Sequence, residues 1–276
     1  MALNTSLQGK AYPESTFEVT EEAIHKYAAA TNEKGPAFTG DNPVGPPAFP
    51  IVAAGPSLAG VLFDPDLGVN LALMVHGEED HVLHAPIRAG DSLTVATTLE
   101  TVAAKETGET FTVLSTLKNG ESTVAEVRSL MFIRGTSTGP RPKKDEEPER
   151  TVEFEVSETI DEDQTYRYAE ASGDHNPIHV DPDFAKNVAG LPGIICHGMC
   201  TMAFAARAVL DSTADGDPAR LYRIKVRFSR PVFPGQMITT RVWKEVGESG
   251  LQTYGFETFN PAGQAVIKSG LAEVGA

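Results

Sequence analysis

The sequence predicts an α+β fold in which one unit, a long helix against an antiparallel sheet, is built twice. Three observations predict it. The two halves of the 276-residue chain resemble each other. A charged, proline-rich segment separates them, and each half passes from helical spacing of apolar residues to alternating spacing. Repeats of this length indicate a duplicated domain and not a solenoid.

The duplication is visible in two matched stretches. The sequence Y-A-A-A-T beginning at Tyr27 resembles Y-A-E-A-S beginning at Tyr168, 141 residues later. Further on, L-H-A-P-I-R-A-G-D (83–91) aligns with F-S-R-P-V-F-P-G-Q (228–236) at an offset of 145 residues. The small change in offset indicates one short insertion in a loop between the matched stretches.

The segment between the halves reads as a linker. It contains three prolines and many charges, with no large apolar residue to bury. We therefore expect a first domain over residues 1–135, a linker over 136–150 and a second domain over 151–276.

Each half runs through the same elements in the same order. A short strand, T-F-E-V or V-E-F-E-V, precedes a helix, an irregular turn and a second, more apolar helix. Alternating stretches then predict strands, listed here for the first half and then the second: 92–99, 111–117 and 123–133; 221–228, 237–246, 252–259 and 265–274. The stretches Asn119-Gly120 and Asn260-Pro261-Ala262-Gly263 mark hairpin turns.

The first helix of the second half ends at an unusual turn. We expect Asp161 to cap this helix and Ser172-Gly173 to end it, since Gly tolerates the left-handed conformation that closes a helix. Pro177 then prevents its resumption, because the residue before a proline is pushed out of the helical region. A carboxylate and an imidazole five residues apart, Asp174 and His179, follow on this turn. Such a pair has the groups needed to move protons near neutral pH.

The stretch S-G-D-H-N-P-I-H-V-D (172–181), with H-G-M at 197–199 and R-F-S-R-P-V-F-P-G at 227–235, resembles the signature of the MaoC-like, R-specific enoyl-CoA hydratases. The resemblance covers the second half; the first half resembles the same fold without the signature. It implies a double hotdog, in which two sheets join edge to edge around two central helices. It also implies reversible hydration of a trans-2-enoyl-CoA to a (3R)-3-hydroxyacyl-CoA, without a cofactor, CoA being part of the substrate.

The resemblance assigns roles to individual residues. Asp174 and His179 would hold one water and supply the base and the acid. Gly198, at the start of the long helix, would donate its N–H to the enolate oxygen. Asn176 would orient the water or the carboxylate. For each residue a structural role is the alternative: a turn cap for the carboxylate, a backbone-bonded ring for His179, close packing for the glycine and an ordinary turn for Asn176.

Five further residues are weaker candidates. A helix-end hydroxyl is the simpler explanation of Ser172, and a buried, satisfied core residue that of His197. Arg223, Lys225 and Arg227 alternate along one strand and so share one face. They would bind the phosphates of CoA, with a salt-bridged sheet face as the alternative.

The first half lacks this chemistry. At an offset of 141 residues, Glu33 stands at the position of Asp174, Gly35 at that of Asn176 and Phe38 at that of His179. Proline-rich stretches at 45–50 and 55–56 replace the H-G-M segment and predict a broken or shortened helix. We expect this half to do no chemistry and to hold the acyl group.

Composition excludes several classes of protein. The net charge of −15 argues against a nucleic-acid partner. We find no signal peptide and no apolar run long enough to span a membrane, and the two cysteines, Cys196 and Cys200, favour a reducing cytoplasm. The histidines at 76, 81 and 84 do not predict a metal site, because on a regular strand the first two point to opposite faces.

Two other functions stay open. The hotdog fold also supports acyl-CoA thioesterases, in which water attacks the thioester carbonyl, and a non-catalytic acyl-thioester-binding subunit is the third class. A homodimer of such chains and an acyl carrier protein in place of CoA are open as well.

Overall fold

The computed structural model describes residues 2–105, 108–135, 150–247 and 250–275. The elements of the first half are β1 (Ser15–Glu18), α1 (Glu21–Ala30), α2 (Pro36–Thr39), α3 (Pro50–Leu62), β2 (Met74–Leu83), β3 (Ser92–Lys105), β4 (Gly108–Asn119) and β5 (Ser122–Arg134). Those of the second half are β6 (Phe154–Thr159), α4 (Gln164–Ser172), α5 (Pro177–Val180), α6 (Pro182–Asn187), α7 (Gly198–Thr213), β7 (Leu221–Phe228), β8 (Met237–Glu245), β9 (Gln252–Phe259) and β10 (Ala265–Val274). Short 3-10 turns lie at Thr5–Leu7 and Pro218–Arg220. The predicted linker, except Arg150, lies outside the described residues.

The strands of the described residues form one sheet of ten, in the order β1-β3-β4-β5-β2-β7-β10-β9-β8-β6. The antiparallel pair of β2 and β7 joins the two halves at the centre. Each half curls its five strands around one long helix, α3 or α7. This is the α+β double hotdog that the resemblance implied.

The core of the molecule is shared by the two halves. One cluster of buried apolar residues includes side chains of α1, α3, α4 and α7 together with strands from both halves. Tyr27 and Tyr168, the matched tyrosines of the repeat, meet in it with ring centroids 5.7 Å apart. Equivalent residues therefore face each other across the pseudo-twofold relation between the halves.

The second half also caps a helix of the first. Gln164, Arg167 and Arg207 each donate a hydrogen bond to a carbonyl in or just after the last turn of α1. These carbonyls have no partners within the helix, and positive charge is favourable at a helix C-terminus. Arg207 is buried and also pairs with Glu158. The halves are thus tied by directed polar contacts as well as by the sheet.

The turn after α4 forms largely as predicted. The helix ends at Ser172, and Gly173 takes the left-handed conformation with φ 78°. The predicted cap is wrong, because the residue at the N-cap is Asp163 and its side chain makes no capping bond. Instead Gln164 Oε1 accepts a hydrogen bond from the Asp161 N–H at 3.1 Å.

Two features of the first half differ from expectation. Strand β2 was not predicted, because it carries charged or histidine side chains on both of its faces. The helix α3 is shortened, with 13 residues against 16 in α7, but it is not broken, since it continues past Pro56. In the described residues no helix is both long and apolar enough to cross a membrane.

Candidate active site

The turn between α4 and α5 is built by short polar side chains that bind its own backbone. Ser172 Oγ donates to the Tyr168 carbonyl at 2.8 Å and accepts from the Asp174 N–H at 3.2 Å. Asp174 Oδ1 accepts from the Asn176 N–H at 3.1 Å, and Asn176 Oδ1 accepts from the Ile178 N–H at 3.3 Å. Ser172 therefore has the structural task foreseen as its alternative. The other oxygen of Asp174 has no hydrogen-bond partner among the described residues, and this side chain is exposed.

His179 is held in one orientation and one tautomer. Its Nδ1 lies 2.8 Å from the Ile195 carbonyl, an acceptor, so Nδ1 carries the proton and Nε2 presents a lone pair. The side chain is buried in α5, which begins at Pro177 with Asn176 as its cap. Burial lowers the pKa of His179 below its usual 6.5, against the opposing effects of the Ile195 carbonyl and Asp174. A neutral imidazole with a free lone pair is the form that acts as a base.

His197 belongs to the site and is more than a satisfied core histidine. Its ring stacks on that of His179 with centroids 3.8 Å apart and 26° between the planes. Its Nε2 donates to the backbone carbonyl of Asp174 at 2.9 Å, while Nδ1 is buried without a hydrogen-bond partner among the described residues. Burial, and then the neighbouring His179, lower the pKa of His197 to about 4. The neutral His197 ring thus contacts both candidate residues: it stacks on His179 and binds the backbone of Asp174.

These three side chains converge. Asp174, His179 and His197 each contribute an atom to a group lying within 4.8 Å of one another. Two imidazoles and a carboxylate are ligand types that zinc accepts, so the set can hold a metal ion. The same arrangement offers a carboxylate oxygen and an imidazole lone pair to one water molecule.

Gly198 occupies the first position of α7. Its N–H is among the four at a helix start that lack helical partners, and the helix dipole favours negative charge there. A Cβ at this position would lie 3.3–3.5 Å from ring carbons of Phe228 on β7. The predicted donor role and its packing alternative are therefore both compatible with this glycine.

Two of the three basic side chains on β7, those of Arg223 and Lys225, form ion pairs with acidic residues of β2. Arg223 makes a two-pronged pair with Asp80 on β2, at 2.9 and 2.7 Å, and Lys225 lies 3.4 Å from Glu78. The salt-bridged sheet face is thus the better explanation of these two. Arg227 is exposed, and no ion pair to it is found among the described residues, so it alone of the stripe is available to a phosphate.

The backbone hydrogen bonds align the two halves more closely than the sequence does. The Gly45 N–H donates to Ile87 O at 2.8 Å, as the Cys196 N–H donates to Val232 O at 2.7 Å. Pro46-Pro47 therefore stand where His197-Gly198 stand. Because Pro47 has no N–H, the first half has no backbone donor at the position of Gly198.

The remaining positions of the first-half site are also altered. Phe38, buried, follows Gly35 with the backbone bond that His179 makes to Asn176. Glu33 is buried, and this burial raises its pKa to about 8 although Arg207 opposes the shift. A cavity of about 80 Å³ lies beside this degenerate site, against Pro46, Pro47 and Leu83.

One polar cluster was missed by the sequence interpretation. A β-bulge between His76 and Glu78 shifts the alternation of β2, so His76 and His81 do not point to opposite faces. Both rings reach the carboxylate of Glu79, at 2.8 and 2.9 Å. The H-G-E-E-D-H motif was the available signal, but a bulge cannot be read from it. His84 is exposed at the end of the strand.

Comparisons with known proteins agree with this geometry. Residues 143–262 match the MaoC like domain, and residues 6–126 match the FAS1-like dehydratase domain region. The chain is 33% identical over 214 residues to 3-hydroxyacyl-thioester dehydratase Y of Mycobacterium tuberculosis, covering 74% of this chain and 73% of that protein. It is 29% identical over 211 residues to the peroxisomal enoyl-CoA hydratase 2 of Arabidopsis thaliana, covering 69% of this chain and 64% of the plant protein. The crystal structure of a MaoC-like dehydratase from Phytophthora capsici superposes with a TM-score of 0.81 at 28% identity, over 98% of this chain and 96% of that one.

Proposed function

The chain belongs to the MaoC-like dehydratases, a family of hydro-lyases, and from this premise we propose that it reversibly hydrates a trans-2-enoyl-CoA to a (3R)-3-hydroxyacyl-CoA. The observation that carries the proposal is that two side chains with free hydrogen-bond acceptors, Asp174 and His179, lie close together. Asp174 and His179 belong to one tight group of side chains, and among the described residues Nε2 of His179 and the second oxygen of Asp174 have no hydrogen-bond partner. The proposed reaction uses no cofactor, and CoA enters as part of the substrate.

In this mechanism one water molecule is held between Asp174 and His179. Its oxygen bonds to C3 of the enoyl thioester as the C2–C3 double bond opens, and one of its protons passes to the Asp174–His179 pair. The pair then delivers a proton to C2, so that the elements of water are added across the bond. General acid and base groups of this kind contribute about 10²–10⁴-fold each.

The thioester oxygen gains negative charge while C3 is attacked. The N–H of Gly198 at the start of α7 is the donor that we assign to it, supported by the dipole of a 16-residue helix. Asn176 and His197 hold the two reacting side chains in place through α5 and through the Asp174 carbonyl. Arg227 is the cation that we assign to a phosphate of CoA.

The first half holds the acyl group in this proposal. Its site has lost the base, the acid and the oxyanion donor, while the shortened α3 leaves a cavity at its N-terminal end.

A homodimer is a further prediction, which light scattering after size-exclusion chromatography tests. We also propose the cytoplasm as the compartment, since Cys196 and Cys200 are free, buried thiols.

The reaction is tested with crotonyl-CoA and a longer trans-2-enoyl-CoA. Loss of absorbance of the conjugated enoyl thioester measures hydration, and a thiol reagent measures release of CoA in parallel. Coupling to an R-specific or an S-specific 3-hydroxyacyl-CoA dehydrogenase identifies the product. We expect hydration to the 3R product with no free thiol. Thiol release without hydration would identify a thioesterase, and tight binding without turnover would identify a binding subunit.

A further inference from the structure

A fully buried carboxylate lies in the first half, outside the site described above. Glu79 on β2 has no exposed surface, and each of its oxygens accepts a hydrogen bond from an imidazole, from His76 Nε2 at 2.8 Å and from His81 Nε2 at 2.9 Å. Burial acts to raise the pKa of Glu79, but the bonds from the two histidines outweigh it and hold the pKa at about 2. The two imidazoles therefore favour the ionised form of this buried carboxylate.

The internal repeat shows that the fold does not need this anion. At the offset of 145 residues, Glu79 corresponds to Ile224 and His81 to Val226 on β7. Both are fully buried apolar residues in the same inner face of the sheet. Charged groups are costly to bury, and apolar residues of similar size often serve stability equally well. The cluster therefore has some task that β7 does not perform.

The cluster points toward the active site of the other half. The His76 ring meets the Phe228 ring edge to face, with centroids 4.9 Å apart. Phe228 in turn is the residue against which Gly198 packs. A chain of contacts thus runs from Glu79 through His76 and Phe228 to the assigned oxyanion donor. His76 is 23% exposed, so it is the member of the cluster that reaches the surface at this wall.

We propose that Glu79, with His76, is a positioning element that the first half supplies to the active site of the second. It rests on the proposed hydration at Asp174 and His179. The Glu79 carboxylate fixes the His76 ring, the ring fixes Phe228, and Phe228 sets the wall beside the Gly198 N–H. On the other side, His81 Nδ1 lies 3.3 Å from the Pro47 carbonyl, which anchors the cluster to the degenerate segment of the first half. The first half thereby contributes to catalysis without a reacting group of its own.

The test replaces Glu79 and His81 by the apolar residues at the equivalent positions of β7. Glu79→Ile/His81→Val imitates β7 and leaves His76 without its anchor, while His76→Ala removes the ring itself. We expect the double variant to fold with a melting temperature equal to or above that of wild type. We expect kcat on crotonyl-CoA to fall about 10- to 100-fold in both variants with KM changed less than about 3-fold, because the misplaced donor acts mainly in the transition state.

The matched control is Val113→Ala, a buried change in a separate core cluster of the first half. We expect this variant to be less stable than the wild type, with kcat within about 2-fold of the wild-type value. A crystal structure of the double variant gives an independent reading, in which His76 leaves its position against Phe228. Unchanged kcat in both variants, or a His76 ring still in place when its anchor is gone, overturns the proposal. Absence of hydration by the wild type overturns the proposed function instead, and the ring position then decides the positioning claim by itself.

Discussion

At the scale of single residues, the site depends on which nitrogen of each histidine carries the proton. His179 donates from Nδ1 to the Ile195 carbonyl, and His197 donates from Nε2 to the Asp174 carbonyl. Backbone carbonyls accept only, so they select the tautomer of each ring. The lone pair of His179 is thus directed by the fold before any substrate binds.

The burial of His179 predicts the pH dependence of the reaction. Its pKa is lowered from 6.5, so the neutral base persists to more acidic pH than an exposed histidine allows. Since kcat/KM reports the free enzyme, it should be level at neutral pH and fall only as the pH drops through the lowered pKa. A pH profile of kcat/KM on crotonyl-CoA measures this. An acid limb centred above pH 6.5 would contradict the assignment of His179 as a neutral base.

The raised pKa of the buried Glu33 predicts that the protein loses stability as the pH rises. Its pKa in the folded protein is about 8, against an ordinary value of 4.5. Between these values the unfolded chain releases the proton and the folded chain keeps it, so the free energy of unfolding falls as the pH rises through this window. Glu33→Gln should remove that loss. Thermal unfolding should give the variant a gain on the order of a few kcal/mol near pH 8 and almost none near pH 4.5. A gain independent of pH would show that the carboxyl is not the cause.

At the scale of elements, the two halves differ in the segment that precedes the long helix. In the second half His197-Gly198 begins the helix, and in the first half Pro46-Pro47 occupies the equivalent place. At the same position of the backbone, the second half therefore has an available N–H at Gly198, and the first half has a proline without an N–H. The two halves therefore differ here in side chains and prolines, while the fold is preserved.

Gly198→Ala tests the start of α7. The added Cβ would lie 3.3–3.5 Å from the Phe228 ring, so the ring must move slightly, and the approach of a thioester to the N–H is narrowed. We expect kcat/KM to fall about 10-fold or more while the melting temperature changes by only a few degrees, because Ala favours the helix. The enoyl-CoA assay and thermal unfolding measure the two quantities. Full activity in this variant would remove Gly198 from the mechanism.

Helices, most strands and the reactive turn could be predicted from the sequence because each depends on local spacing. The left-handed Gly173 and the alternation of β7 to β10 are of this kind. The short helix α5 was not predicted, since an irregular turn was expected after Pro177. Strand β2 and its bulge could not be predicted, since the partners of their polar residues include side chains of β7 and a pairing of histidines with Glu79 that depends on the bulge. The stacking of His197 on His179 depends on a contact between α5 and the segment before α7, which no spacing reveals.

At the scale of the whole molecule, the two halves share one sheet and one core. The sheet is continuous through β2 and β7, and the main core cluster contains residues of both halves. We therefore expect a single transition in urea. Fluorescence of Trp243, the one tryptophan of the chain, reports the second half, and far-ultraviolet circular dichroism reports both. The two curves should coincide. Separate midpoints would show that the halves unfold independently.

The central claim is that Asp174 and His179 jointly activate the water that adds to C3. The most direct measurement is the initial rate of crotonyl-CoA hydration by the wild type, Asp174→Asn and His179→Ala, each first shown to be folded by its melting temperature. We predict that the wild type hydrates the substrate and that each variant loses about 10²–10⁴-fold in kcat. A variant that keeps the wild-type rate within about 3-fold would contradict the account.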